Sequence, residues 1–589
     1  MSEDTLGARL ERAARHVDAD GAPRGVRFLE RGEGDGTWLS YAEIFERARR
    51  VAGGLQALEL RPGDRVALVL PTAPSFFDAF FGAILAGVVP VPLYPPLRLG
   101  RLDEYHARTA AMVEACGARL VLSDRRIARL LGSAVAEAKP DLGLLTLDSL
   151  ARREPAPVCV APDDVAFVQF SSGTTRAPKP ICLSHRAILA NVRAILGAIL
   201  AAHPESDELR HVGVSWLPLY HDMGLVGAVL VAVDRPGELV LIPPERFIAR
   251  PALWLEAISR FGGTISPAPN FAYALCAERV RDSDLVGVDL SRWRVALNGA
   301  EPVTPAVLER FVARFAHFGL RGEALTPVYG LAEATLAVTF SDLHAPFRRA
   351  RFDRNALLCR GIAIEAAEGH ELASLGPPLP GFALRIVDEN GADVTPGRVG
   401  RLLVRGPSLM DGYHDRPLDT AAVLRDGWLD TGDTGFLHGG ELYLYGRAKD
   451  MIVLRGRNHA PQDIEQVAHS VSGVRAGCAA AVGIVPEGGD GEELYVFVER
   501  TREAARDDHA LADAVKRAIA EATGLVPSRV VVLAPGTLPR TSSGKLRRDE
   551  TRRRHLAGSL TPPRRVTLLH LVTEMVRARV RLVRSQRAR

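Results

Sequence analysis

Residues 65–94 read RVALVLPTAPSFFDAFFGAILAGVVPVPLY. The apolar run Val66–Leu70 predicts a strand, the helical spacing from Ser75 to Leu85 a helix, and the β-rich run after it a second strand. Neither run alternates polar with apolar residues, so both faces of the sheet are expected to be covered and its strands parallel. Short apolar runs recur at 119–122, 165–170, 212–216 and 293–297, separated by helix-length segments. The front of the chain therefore reads as α/β, a large domain of parallel sheets layered with helices.

After about residue 380 the texture changes. FALRIVDENGADV and GRLLVRG read as strands around an Asn390-Gly391 turn, and ELYLYGRAKDMIVLRG as a pair of strands broken near Arg447–Asp450. QDIEQVAHSV and HALADAVKRAIAEATG read as helices and Arg529–Ala534 as a strand. These segments predict a large domain over 1–448, a small α+β domain over 449–558 and a tail over 559–589.

The 589 residues suit two to four domains, and 47% hydrophobic with 24% charged residues is a globular balance. The net charge of +4 hides an asymmetry. Residues 546–589 hold thirteen Arg against Asp549, Glu550 and Glu574, which leaves the body mildly acidic. That argues against a nucleic-acid-binding body. The six cysteines form no C-x-x-C pair, so neither a zinc site nor a disulfide framework is expected, and a reducing compartment fits. The N-terminus lacks an apolar signal core. The longest apolar run, within Phe76–Leu93, is broken by Asp78, Gly82, Gly87 and Pro90. No transmembrane helix is expected, and the location expected is cytoplasmic. Only five basic residues are Lys (139, 179, 449, 516 and 545), which singles each of them out.

Phe170–Pro180, FSSGTTRAPKP, follows the strand DVAFVQF. Small hydroxyl residues and a Gly after a strand can turn backbone N–H groups toward an anion, with Lys179 adding charge. It is not a Walker loop, because Pro178 and Pro180 flank the Lys. Four further segments follow in order: LPLYHDMGLVG (217–227), NGAEPV (298–303) with PVYGLAEATL (327–336), WLDTGDTGF (428–436) and PRTSSGKLRR (539–548). Singly each has a bland explanation. His221 can be a core histidine bonded to Asp222, Glu333 a helix carboxylate, Asp433 a turn former and Lys545 a surface cation.

Together, in this order, they resemble the adenylate-forming superfamily of acyl-CoA synthetases, luciferases and nonribosomal adenylation domains over about residues 25–550. VVPVPLYPP, SSGTTRAP, SPAPNFAYALC, YGLAEATLAV and GRNHAPQDIE resemble its fatty acyl-AMP ligase branch more closely. Residues 341–376 sit where that branch carries an insertion that restrains its small domain. Pro180 departs from the Gly usual after the loop Lys, which implies a stiffer loop exit.

The resemblance implies a fatty acid activated by ATP and Mg²⁺ to acyl-AMP and pyrophosphate. The acyl group then passes to the phosphopantetheine thiol of an acyl carrier protein or a polyketide or nonribosomal synthase module. It implies that Ser171, Ser172, Gly173, Thr174 and Thr175, with Lys179, wrap the phosphates. Glu333 would hold Mg²⁺. Gly299, Ala300, Glu301, Tyr329, Gly330 and Ala332 would line the adenine site, and Asp433 with Arg447 would hold the ribose. His221 would gate the carboxylate pocket, and Lys545 would act from a lid domain hinged at Lys449. Apolar residues in 212–231 and 264–276 are candidates for the acyl tunnel. The alternatives are a fatty acyl-CoA ligase and an inactive acyl-adenylate or lipid-sensing module. Residues 566–584 of the tail alternate apolar stretches with Arg, which fits a solvated helix, a membrane-surface contact or a docking site for an acidic carrier protein.

Overall fold

The computed structural model describes residues 3–18, 21–30, 34–96, 99–170, 178–206, 210–454, 457–486, 491–501, 507–541, 545–563 and 580. Residues 171–177, expected to wrap the phosphates, Ser542–Gly544 and nearly all of the basic tail lie outside these, so the expectations placed on them do too.

The opening strand–helix–strand unit forms as its pattern requires. Arg65–Val69 and Val89–Leu93 pair in parallel, and helix Pro74–Leu85 between them starts with Pro at its first turn. Phe76, Phe77, Phe80 and Phe81 are all buried on that helix, Phe77 meeting Phe28 and Phe80 meeting Phe167 edge to face. Leu120–Ser123 and Leu144–Thr146 complete a four-stranded parallel sheet.

A second sheet has eight strands, with Val295–Asn298, Ile265–Ala268, Val212–Ser215 and Glu238–Leu241 parallel at its centre. Leu325–Gly330 adds in parallel on one side and Gly25–Phe28 on the other, and the two edge strands are antiparallel. In such a sheet ligands bind beyond the carboxyl ends of the strands. NGAEPV, Tyr329 and LPLYHDMGLVG all lie at that edge.

One strand departs from the parallel expectation. Val165–Phe170 pairs antiparallel with Pro180–Ser184. Only residues 171–179 separate the two strands in sequence, and a parallel pairing needs a connection of about a dozen residues or more. The strands Glu441–Arg447 and Ile452–Leu454 form with the break expected near Arg447–Asp450. A helical turn, Ala448–Asp450, separates them, and they join Trp428–His438 and Arg457–His459 respectively. Helix His185–Ala202 is long and apolar enough by composition to cross a membrane, which the search for unbroken apolar runs missed. Ile188, Leu189, Val192, Ile195 and Ile199 are buried in the protein core, and packing accounts for its character.

Beyond the turn at 448–450, Val474–Ile484, Glu493–Arg500 and Arg529–Leu533 form a sheet covered by helices Pro461–Ser470 and Asp508–Thr523. Ile452, Ile464, Val496, Val515 and Ile519 make a core of their own. The architecture is α/β with a smaller α+β unit at the C-terminal end.

Candidate active site

Asp433 and Arg447 are fourteen residues apart in sequence but directly opposite across the antiparallel strands Trp428–His438 and Glu441–Arg447. That register brings Arg447 Nε to 3.1 Å from Asp433 Oδ1. The other carboxylate oxygen accepts from the Tyr329 hydroxyl at 2.8 Å. This buried bond joins the large sheet to the sheet that carries Asp433. Burial pushes the Tyr329 phenol far up, and the neighbouring Asp433 charge pushes it further, so the phenol stays a donor.

The backbone around Tyr329 is tight. A Cβ on Gly330 would lie 1.8 Å from the Leu336 carbonyl oxygen, and one on Gly299 2.7 Å from Val328 Cγ2. Ala300 holds φ +66°, a left-handed backbone that costs a non-glycine residue about 1 kcal/mol. Glu301, next in the chain, is turned inward and accepts from the Phe271 N–H. Burial raises its carboxyl above the usual range, against that bond and against Lys545 and Arg540. Ala332 is buried in the helical turn that carries Glu333.

Glu333 is half-buried, and desolvation of its carboxyl pushes it up; Tyr413 and Arg447 oppose the shift and Asp222 adds to it. The Tyr413 hydroxyl donates to Glu333 Oε1 at 3.1 Å. A cleft of about 220 Å³ lies beside it, lined by Glu333, Tyr413, Leu331, Asp430, Thr431 and Gly432. Among the described residues no three His, Cys, Asp or Glu side chains form a metal cluster. A single carboxylate completed by phosphate oxygens and water suits Mg²⁺ chemistry, so Glu333 fits that role alone. Lys179 takes a different direction from the one expected. Its ammonium pairs with Asp419 at 3.2 Å and lies 4.6 Å from the centre of the Tyr413 ring. It fixes the segment that fixes Glu333.

His221 precedes the short helix Asp222–Gly224, and its Nδ1 lies 2.7 Å from Asp222 Oδ1, which also accepts from the Met223 N–H at 2.7 Å. Burial works to raise the Asp222 carboxyl, but His221 and Lys545 outweigh it and hold it below the usual range. Lys545 comes from the C-terminal unit. Burial holds its ammonium below the usual value, with Arg447 adding to the effect; Asp222, Glu301 and Asp433 work the other way. One cation is thus within electrostatic reach of carboxylates supplied by three separate segments of the large unit.

Tyr413 and Asp222 are the residues sequence reasoning missed as site members. Asp222 lay inside a quoted motif. Tyr413 lay in MDGYHD, where no spacing marks it, because its reach to Glu333 depends on the short pairing of Gly412–Tyr413 with Pro180–Ser184.

The description "AMP-binding enzyme" belongs to a family whose model matches residues 12–414. The long-chain-fatty-acid–AMP ligase FadD23 of Mycobacterium tuberculosis is 35% identical over 88% of this chain and 91% of its own length. The medium-chain-fatty-acid–[acyl-carrier-protein] ligase JamA of Moorena producens is 33% identical over 92% of this chain and 93% of its own. A solved structure from a study of fatty acyl-adenylate ligases of E. coli and L. pneumophila has a TM-score of 0.86 at 34% identity, covering 94% of this chain and 98% of that one.

Proposed function

The chain belongs to the AMP-binding enzyme family, within its fatty acyl-AMP ligase branch, and from that premise we propose that it activates a fatty acid with ATP. A carboxylate oxygen attacks the α-phosphorus, the bond to the bridging oxygen breaks, and its electron pair leaves with pyrophosphate. The phosphopantetheine thiol of a carrier protein then attacks the acyl carbon and releases AMP. Efficient transfer to coenzyme A in place of a carrier would replace the second half of this reading.

The observation that supports it most is that Lys545, from the C-terminal unit, is buried within electrostatic reach of Asp222, Glu301 and Asp433. Displacement of this kind needs positioning and charge neutralisation more than covalent catalysis. Asp433, already accepting from Tyr329 and Arg447, is the group for the ribose hydroxyls. Gly299, Ala300 and Glu301 edge the base site, with Gly330 and Ala332 setting the turn beside it. Glu333 would hold Mg²⁺, which supplies neutralisation of phosphate charge when bound. Ser171–Thr175 would surround the phosphates, and Lys179 acts on them only through the segment it fixes.

His221, held by Asp222, stands at the entrance for the carboxylate. Lys545 neutralises charge that grows between the carboxylate and the α-phosphate. The division of labour follows the domain reading: residues 1–448 bind both substrates, and 449–558 swing about Lys449 to deliver or withdraw Lys545. Residues 341–376 restrain that swing through Arg354, which donates to the Ala522 carbonyl, and His370, 3.4 Å from Asp463. The work is proposed to take place in the cytoplasm.

Lys545→Ala in a hydroxamate-trapping assay tests the central role. Loss of such a donor is expected to slow acyl-adenylate formation by about 10²–10³. An undiminished rate would remove Lys545 from the mechanism.

A further inference from the structure

Lys545 is carried on a loop that the large unit holds from both flanks. The loop is closed on itself: the Thr541 N–H donates to the Lys545 carbonyl at 2.8 Å, and the Lys545 N–H donates to the Thr541 hydroxyl at 3.0 Å. It is also fastened to the small unit. Before it, the Leu538 N–H donates to the buried Glu499 carboxylate at 2.8 Å; after it, Arg548 holds Glu465 at 2.7 Å. Whatever seats these flanks on the large unit therefore sets where Lys545 comes to rest.

Two residues of the large unit make that seat: Arg101, immediately before helix Leu102–Ala115, and Glu104, in its first turn. Eight residues before Lys545, the Thr537 carbonyl accepts from Arg101 Nη2 at 3.2 Å. Nine residues after it, Arg554 donates from Nη1 and Nη2 to the two oxygens of Glu104, at 3.0 and 2.7 Å. Arg101 also donates to the Thr561 carbonyl at 3.2 Å and to Glu104 at 3.3 Å, so the two halves of the seat are joined.

The pair forms from groups already oriented for it. Glu104 stands in the first turn of its helix and Arg554 in the last turn of helix Arg548–Leu556, and each charge suits the dipole end it occupies. Arg554 Nε donates to Glu550 at 2.6 Å, which fixes the fork that meets Glu104. Burial works to raise the Glu104 carboxyl, but Arg554 and Arg101 outweigh it and hold it below the usual range. An isolated surface ion pair contributes little; a two-pronged pair on a guanidinium only 18% exposed contributes more. This attachment is separate from that of residues 341–376, which reach Asp463 and the Ala522 carbonyl on two other helices of the small unit.

We propose that Arg101 and Glu104 are positioning residues that seat the Lys545 loop for acyl-adenylate formation and let go of it when the small unit swings for acyl transfer. The seat deepens the reading of the chain as an acyl-adenylate-forming enzyme and rests on it for the reaction it serves.

The test compares the full wild-type chain with Glu104→Gln, Arg554→Gln, the double variant and Arg101→Gln. Hydroxamate trapping reads acyl-adenylate formation. Transfer from preformed, enzyme-bound acyl-adenylate to a phosphopantetheinylated carrier protein reads the second step. Each single variant is expected to lower kcat for acyl-adenylate formation about threefold to tenfold, with the KM values for ATP and fatty acid and the melting temperature little changed. Transfer should run at least as fast as in wild type. The double variant should be no slower than the worse of Glu104→Gln and Arg554→Gln, because both remove one pair. Raised salt should slow wild type toward the Glu104→Gln rate.

Unchanged acyl-adenylate formation in all single variants overturns the proposal. So do losses that fall equally on both steps or that follow a lowered melting temperature, since those mark a structural role alone. If wild type forms no acyl-adenylate, the functional reading falls, while amide hydrogen exchange across residues 537–561 still decides the seat: faster exchange in Glu104→Gln supports it and unchanged exchange refutes it.

Discussion

Arg548 links the catalytic segment to the turn at 448–450, and removing it should loosen the C-terminal unit selectively. Its guanidinium donates from Nε and Nη2 to the two oxygens of Glu465, both at 2.7 Å, and from Nη1 to Asp450 at 3.3 Å. All three side chains are buried, at 15%, 6% and 7% exposure. Glu465 additionally accepts from the Ala481 N–H at 3.0 Å, so it cannot turn away. Arg548→Met keeps the bulk of the side chain and strands two carboxylates in a dry interface.

Breaking a buried pair from one side costs about 3–5 kcal/mol. A unit of about 110 residues has roughly 5–15 kcal/mol to lose, so the variant should approach the edge of stability at that end alone. Calorimetry should then show an early transition for the C-terminal unit ahead of the large one, where wild type shows a later or merged transition. Acyl-adenylate formation should fall more steeply than binding of the fatty acid, because Lys545 lies three residues before Arg548. Arg548→Met with Glu465→Leu removes both sides of the principal pair, and the coupling energy should approach the upper end of the 0.5–3 kcal/mol range. A single variant that melts like wild type, or a double variant that is merely additive, would refute the reasoning.

Three further outcomes are expected. The pH profile of kcat/KM should be a bell: Glu333 is raised by burial, so the carboxylate proposed to hold Mg²⁺ is lost as pH falls through that raised value. Lys545 is lowered by burial, so its ammonium is lost as pH rises through the lowered value. In Lys545→Arg the residual activity should lack the alkaline limb, and a limb that stays in place would assign it to another group. Tyr413→Phe, removing the donor to Glu333, should raise the Mg²⁺ concentration needed for half-maximal rate several-fold, roughly the value of one charge-assisted hydrogen bond, while the KM for fatty acid stays put. Gly330→Ala should cost stability or misplace Tyr329, because its Cβ would meet a backbone carbonyl at 1.8 Å; an unchanged melting temperature together with unchanged ATP affinity would show that the turn relaxes.

How far the sequence exposes this site depends on whether a contact is local. The strand–helix–strand of residues 65–94 was legible because each element satisfies its own periodicity, and Asp433 and Glu333 stood out as candidates because their motifs are contiguous. That Asp433 faces Arg447 required the strand register, which passes through a bulge between Thr434 and Gly435. A register one residue out would place Arg447 on the other face. The antiparallel turn-back of Val165–Phe170 was hidden by an equally apolar composition, although the length of the connection contained the answer. Lys179, to which the motif drew attention, pairs with Asp419, a contact the motif did not indicate because it depends on Pro180 entering a strand that pairs with Gly412–Tyr413. A motif identifies which residues matter and leaves open which atom each one touches. Here that difference places Lys179 against Asp419 and the Tyr413 ring, and Tyr413, unmarked in sequence, against Glu333.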